Sequence, residues 1–131
     1  MSVTFCPATP IVHPTYGPMM HHHDVGPHLN LSNTNAAPLL HCLDLVNRED
    51  DGEEPDWIGS LPLDDFRGRL LIALAVAPED PGRPTTLEQR TGGAVIIEGG
   101  RPAGYLQHRL RQLLDIADAA QAAGHSHIGW H

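Results

Sequence analysis

At 131 residues the chain is the size of one compact domain rather than two. Apolar side chains make up 40% and charged ones only 18%, a balance that excludes a disordered polyelectrolyte. Eight Arg, no Lys and sixteen Asp plus Glu leave a formal charge of −8, which argues against direct nucleic-acid binding and against electrostatic docking on anionic lipid.

Met1 to Pro10 has no basic start and no sustained apolar stretch, so no signal peptide is expected. The longest apolar run, 70–77, is far shorter than the roughly 20 residues a membrane-spanning helix needs. The expectation is a cytoplasmic protein with reduced thiols. Cys6 and Cys42 lack Cys-x-x-Cys spacing, and one disulfide between them is left open.

Along residues 1–28, Pro7, Pro10, Pro14, Pro18 and Pro27 interrupt regular structure. They predict an irregular Pro/His-rich arm, with short extended pieces at most over 3–5 and 11–12. Leu29-Asn30-Leu31 then alternates as a half-buried strand does. A short helix follows over 36–45, carrying Leu39, Leu40 and Leu43, with Asn35 at the N-cap and Pro38 in the first turn. Cys42 adjoins His41, but helix neighbours do not face each other, so it reads as a small core residue rather than a nucleophile. Residues 49–56 hold six acids in eight positions with a Gly and a Pro, which predicts a solvated loop.

The clearest core element comes next. Phe66, Leu70, Ala73, Leu74 and Ala77 recur at helical spacing behind an Asp64 N-cap, and Pro78 with Pro81-Gly82 ends the helix. Asp65 precedes Arg69 in the favourable order for an ion pair of ~0.3–0.5 kcal/mol. Residues 83–93 read as loop with one helical turn at most. Ala94-Val95-Ile96-Ile97 reads as a strand buried on both faces. The longest helix spans 105–123, with Leu106, Leu110, Leu113, Ala117 and Ala120 inward and His108, Arg111, Asp115, Asp118 and Ala122 outward. Gly124 suits its C′ position, and 128–130 can add a terminal strand. These pieces predict an α+β fold, about three helices on one side of a small sheet. A single domain over 29–131 carries the arm 1–28, and residues 94–97 complete a core shared by the two longer helices.

Three candidate sites emerge. His21, His23, Asp24, His125 and His127 have spacings that could offer imidazoles, with a carboxylate beside them, to Zn²⁺, Ni²⁺ or Cu²⁺ if the two ends of the chain meet. The plainer alternative is exposed histidines that bind metal loosely. Gly99, Gly100, Arg101 and Gly104 precede a helix start, a setting that can cradle an anion, although neither the Walker nor the dinucleotide fingerprint is present. Glu49, Asp50, Asp51, Glu53 and Glu54 form a negative patch that could steer a basic protein partner. No Gly-x-Ser-x-Gly or His-Glu-x-x-His motif occurs, so no catalytic residue is predicted and an enzyme is not indicated.

Three segments carry a resemblance. Leu29-Asn30-Leu31-Ser32-Asn33-Thr34-Asn35-Ala36, Asp65-Phe66-Arg67-Gly68-Arg69-Leu70-Leu71-Ile72-Ala73-Leu74, and Gly99-Gly100-Arg101-Pro102-Ala103-Gly104-Tyr105-Leu106 with Arg109-Leu110 and the closing Trp130 resemble a family of small uncharacterised proteins of actinobacteria and their phages. The likeness covers about residues 29–131, and the histidine-rich segment lies outside it. It implies a small accessory protein and attaches no activity. The leading expectation is a non-enzymatic protein-interaction module, with self-association through the Pro-rich arm or the Trp130 end left open. Transition-metal binding is the first alternative, and anion or small-molecule binding at 99–104 is the second.

Overall fold

The computed structural model describes residues 2–45, 58–76, 86–89, 93, 95–98 and 103–131. Among them the order is β1 (Ser2–His13), β2 (Gly17–His22), β3 (Leu29–Ser32), α1 (Asn33–Cys42), β4 (Gly59–Pro62), α2 (Leu63–Val76), β5 (Thr86–Gln89), β6 (Val95–Glu98), α3 (Tyr105–Ala122) and β7 (His127–Trp130). Five strands form one antiparallel sheet in the order β2-β1-β7-β4, with β3 also paired to β1. An α+β architecture of three helices and an antiparallel sheet is therefore established.

The irregular N-terminal arm is not what forms. Residues 2–13 are a twelve-residue strand at the centre of the sheet. Its first part, 2–5, pairs with β3, and its second, 8–13, pairs with β2 on the same edge; β7 pairs with 5–8 on the other. The prolines fit because none is asked for a ladder donor. Thr4 and His131 exchange both backbone hydrogen bonds, at 2.8 and 3.1 Å, so even-numbered residues of β1 turn their backbone groups toward β7 and odd-numbered ones toward the opposite edge. Pro7 thus aims its nitrogen at the gap between β2 and β3, where its carbonyl accepts the His23 N–H at 2.8 Å. Pro10 faces the β7 side beyond Ala8, the last residue that β7 reaches. Pro18, opposite Val12, turns its nitrogen out from the ladder. Pro14 opens the hairpin turn, where His13 Nδ1 accepts the N–H groups of Thr15 and Tyr16 at 3.0 and 3.2 Å.

Cross-strand partners share a face and successive residues alternate, so the register sorts the sheet. One face presents Val3, Phe5, Leu29, Leu31, Leu61, Ile128 and Trp130 to the helices, where Leu39, Leu40, Phe66, Leu70, Leu110 and Leu113 complete the core. The other presents small or polar groups: Ser2, Thr4, Cys6, Ala8, Asn30, Ser60 and Gly129, with Asn30 Nδ2 donating to Thr4 Oγ1 at 2.8 Å. Two close approaches tie the faces down. A Cβ on Gly59 would lie 2.5 Å from the Trp130 ring, and one on Gly129 would run into the His22 ring.

The helices keep most of their expected stripes and shift some details. In α1 the buried residues are Ala36, Leu39 and Leu40, followed by Leu43 beyond its end. Its N-cap is Ser32, not Asn35, so Pro38 sits in the second turn rather than the first. Burial of Leu39 and Leu40 on the sheet overrides the propensity cost there. Cys42 is exposed, which corrects its reading as a core residue, because it lies roughly 100° around the helix from the buried stripe. The two cysteines are not bonded to each other. In α2, Phe66, Leu70 and Ala73 are buried, with Asp64 and Asp65 in the first turn rather than before it. Leu71, Ile72 and Val76 face solvent, so the apolar run is wider than the buried stripe. Arg69 does not pair with Asp65; its Nη1 donates to the Leu43 and Asp44 carbonyls, both at 2.9 Å, satisfying acceptors past the end of α1. In α3, Leu110, Leu113, Ala117 and Ala120 are buried as the stripe predicts, joined by Ile116, and Gly124 takes the expected left-handed φ of +81°.

The second sheet corrects two expectations. Residues 95–98 do form a strand, but among the described residues β6 pairs with β5 in a separate two-stranded sheet and not with the five-stranded one. β5 lies where a loop or helical turn was expected. The hydrophobic pattern of 94–97 carries no information about which strand will pair with it. No helix among the described residues is long and apolar enough to cross a membrane.

Candidate functional site

The base of the β1–β2 hairpin gathers most of the N-terminal histidines. Thr9 and His21 are cross-strand partners, and so are Ala8 and His22. Strand alternation then sends His21 and His23 to the helix side of the sheet and His22 to the other. From the far end of the chain, the His125 N–H bonds to the Ala120 carbonyl at 2.9 Å, so the cap of α3 fixes that residue beside Thr9. The outcome is a three-ring cluster. His21 and His23 meet edge-on with centroids 4.6 Å apart, and His23 and His125 lie 4.5 Å apart. His23 Nε2 is 2.9 Å from Thr9 Oγ1, and His125 Nδ1 is 3.5 Å from the same oxygen.

The opposite face holds a second pair. The His22 ring lies over Gly129, with its centroid 4.8 Å from that of His131. His127 lies on this face too, in register with Ala8 and apart from the three-ring cluster; its Nδ1 is 2.7 Å from Ser126 Oγ. Asp24 is exposed and acts electrostatically on both Cys6 and His22. Burial first and the Asp24 carboxylate second push the Cys6 thiol up to about 11, so it stays protonated and a poor nucleophile at neutral pH. Burial pulls His22 below the ordinary imidazole value, and the His131 ring adds to this. Partial desolvation, then His125 and His21, pull His23 down in the same way. Neutral imidazoles are favoured at both places.

His21, His23 and His125 are thus brought near one another, while Asp24 and His127 are placed elsewhere. The i, i+2 argument fails for His125 and His127 because only His127 belongs to a strand. Among the described residues, no group of three or more His, Cys, Asp or Glu side chains is placed so as to hold a metal ion as it stands. The anion candidate falls largely outside the described residues: Gly99, Gly100 and Arg101 are not among them, and Gly104 is the N-cap of α3 with φ +74°. Glu49, Asp50, Asp51, Glu53 and Glu54 also lie outside them.

Sequence reasoning missed the hairpin tip. Beyond the reach of β7, Ile11, Val12, Tyr16 and Met19 are 39%, 80%, 78% and 43% exposed. Pro10, Ile11, Val12, Pro18, Met19 and Met20 line an open groove of about 440 Å³. The missed signal was His13-Pro14-Thr15-Tyr16-Gly17, a Pro-to-Gly turn between two apolar runs. No known protein family, curated protein or solved structure matches the chain.

Proposed function

We propose that this chain is a non-enzymatic protein-interaction module whose docking element is the β1–β2 hairpin. The observation that carries the reading is an apolar ribbon, exposed at Ile11, Val12, Tyr16 and Met19, standing past the sheet. Residues 1–23 contain no Asp, Glu, Lys or Arg, so the whole −8 charge resides in the rest of the chain. The partner suited to this ribbon is a protein with an apolar cleft, reached by burial rather than by charge steering. The prolines that blunt both ribbon edges disfavour strand addition and leave side chains as the recognition surface.

The test places a photo-crosslinking residue at Tyr16 and exposes the chain to a lysate of its source organism at low and high salt. Capture that persists at high salt and vanishes in a Val12→Glu, Met19→Glu double variant is the expected result. Capture lost in high salt but unchanged in that variant overturns the hairpin reading and favours steering by the Glu49, Asp50, Asp51, Glu53 and Glu54 segment. Sedimentation of the pure chain separates self-association from binding to a different protein.

A further inference from the structure

We propose that Thr9, His21, His23 and His125 frame a transition-metal site that takes Zn²⁺, Cu²⁺ or Ni²⁺ through three imidazoles and fastens the hairpin base to the end of α3. Two ligands come from residues 21–23 and the third from the segment joining α3 to β7, so the ion links parts of the chain about a hundred residues apart in sequence.

The distances are close to what ligation needs. Two imidazoles on one tetrahedral ion, each with a metal–nitrogen bond of ~2.0–2.1 Å, have ring centroids about 5 Å apart. The observed separations are 4.6 Å for His21–His23 and 4.5 Å for His23–His125. No three of these groups are placed to hold an ion as they stand, so the rings must turn and spread by roughly half an ångström to share one. His23 Nε2 and His125 Nδ1 already approach one point, the Thr9 hydroxyl, at 2.9 and 3.5 Å. Thr9 marks where an ion or its bound water would sit, and its oxygen can hydrogen-bond that water. His21 is exposed and stands edge-on to the His23 ring.

The local charge suits a cation. Among the described residues no basic side chain forms an ion pair or hydrogen bond with the cluster, and the carbonyl end of α3 lies just before His125. Imidazole sets of this kind suit Zn²⁺, Cu²⁺ and Ni²⁺ and disfavour Mg²⁺ and Ca²⁺, which take oxygen ligands. This inference does not depend on the docking reading, since the hairpin tip contributes no ligand.

The experiment uses untagged chain that has never met a nickel column. Zn²⁺ is titrated against a chromophoric competitor, and Cu²⁺ is followed by electron paramagnetic resonance. One equivalent per chain, nitrogen couplings from three rings, and a Zn²⁺-dependent rise in the unfolding midpoint are expected. His21→Gln, His23→Gln and His125→Gln should each weaken binding tenfold or more. His127→Gln and His131→Gln, on the opposite face, should leave it unchanged. If His23→Gln proves unstable without metal, exposed His21→Gln carries the test. No saturable equivalent, or several weak equivalents lost equally in the His127 and His131 variants, overturns the site and leaves adventitious binding only.

Discussion

Residues 2–8 and 9–13 belong to one continuous strand, yet Phe5, Cys6 and Ala8 are fully buried while Ile11 and Val12 are 39% and 80% exposed. The residues themselves do not explain the contrast, since Ile and Val are more apolar than Cys and Ala. Neighbours explain it. The first half has strands on both edges and helices over one face, whereas the second has only β2 beside it. A strand's environment is set by what reaches it, so one sequence run can serve as core at one end and as exposed surface at the other.

The contrast can be broken most sharply at Phe5. Phe5→Ala should cost about 3–5 kcal/mol in chemical denaturation, from lost transfer energy and the cavity left among Leu29, Phe66 and Trp130. Val12→Ala, on the same strand, should change stability by less than about 0.5 kcal/mol. Equal effects at both positions would mean that the hairpin is covered in the free protein.

A second comparison sets the two sheet faces against each other. Gly59→Ala drives a methyl into Trp130, which is 6% exposed and has no room to move. It should destabilise by about 1–3 kcal/mol. Gly129→Ala meets the His22 ring, which is only half-buried and can swing away, so its cost should be smaller and should fall further in a Gly129→Ala, His22→Ser double variant. Arg69→Ala removes two hydrogen bonds to the carbonyls of Leu43 and Asp44 and should cost about 1–2 kcal/mol, with faster amide exchange at the end of α1.

Acid probes the hairpin base. His22 and His23 are both held below their ordinary value in the folded chain, so near pH 6 the unfolded state binds more protons. The stability they contribute is complete above about pH 6.5 and declines as the pH falls toward their lowered values. The unfolding midpoint should drop between about pH 7.5 and 5.5, and His23→Gln should flatten part of that slope. A small effect is also expected at Arg67, whose 3.1 Å ion pair with Asp118 is 40% and 50% exposed. Arg67→Ala should cost no more than about 1 kcal/mol and less at high salt.

The helices and the two short strands at 29–32 and 127–130 were legible because each carries its own period. Leu110, Leu113, Ala117 and Ala120 announce an inner face at 3.6 residues per turn, and Gly124 announces its end. β1 was not legible, because prolines were counted as interruptions without knowing which way each nitrogen would point. The site was read in part. The i, i+2 spacing of His21 and His23 was sufficient for two rings, while His125 joined them through the cap of α3 and His127 turned to the far side. Thr9 carried no signal at all.

Amphipathic periodicity, turn residues and charge are local properties, and they were enough to specify three helices, an α+β class and two segments rich in imidazole. Which strand lies at the centre, that β6 pairs with β5 rather than with the main sheet, and that residues 23 and 125 touch are matters of long-range pairing. Hydrogen-bond ladders join whichever edges the packed core brings together, and nothing within a short window of residues encodes that choice.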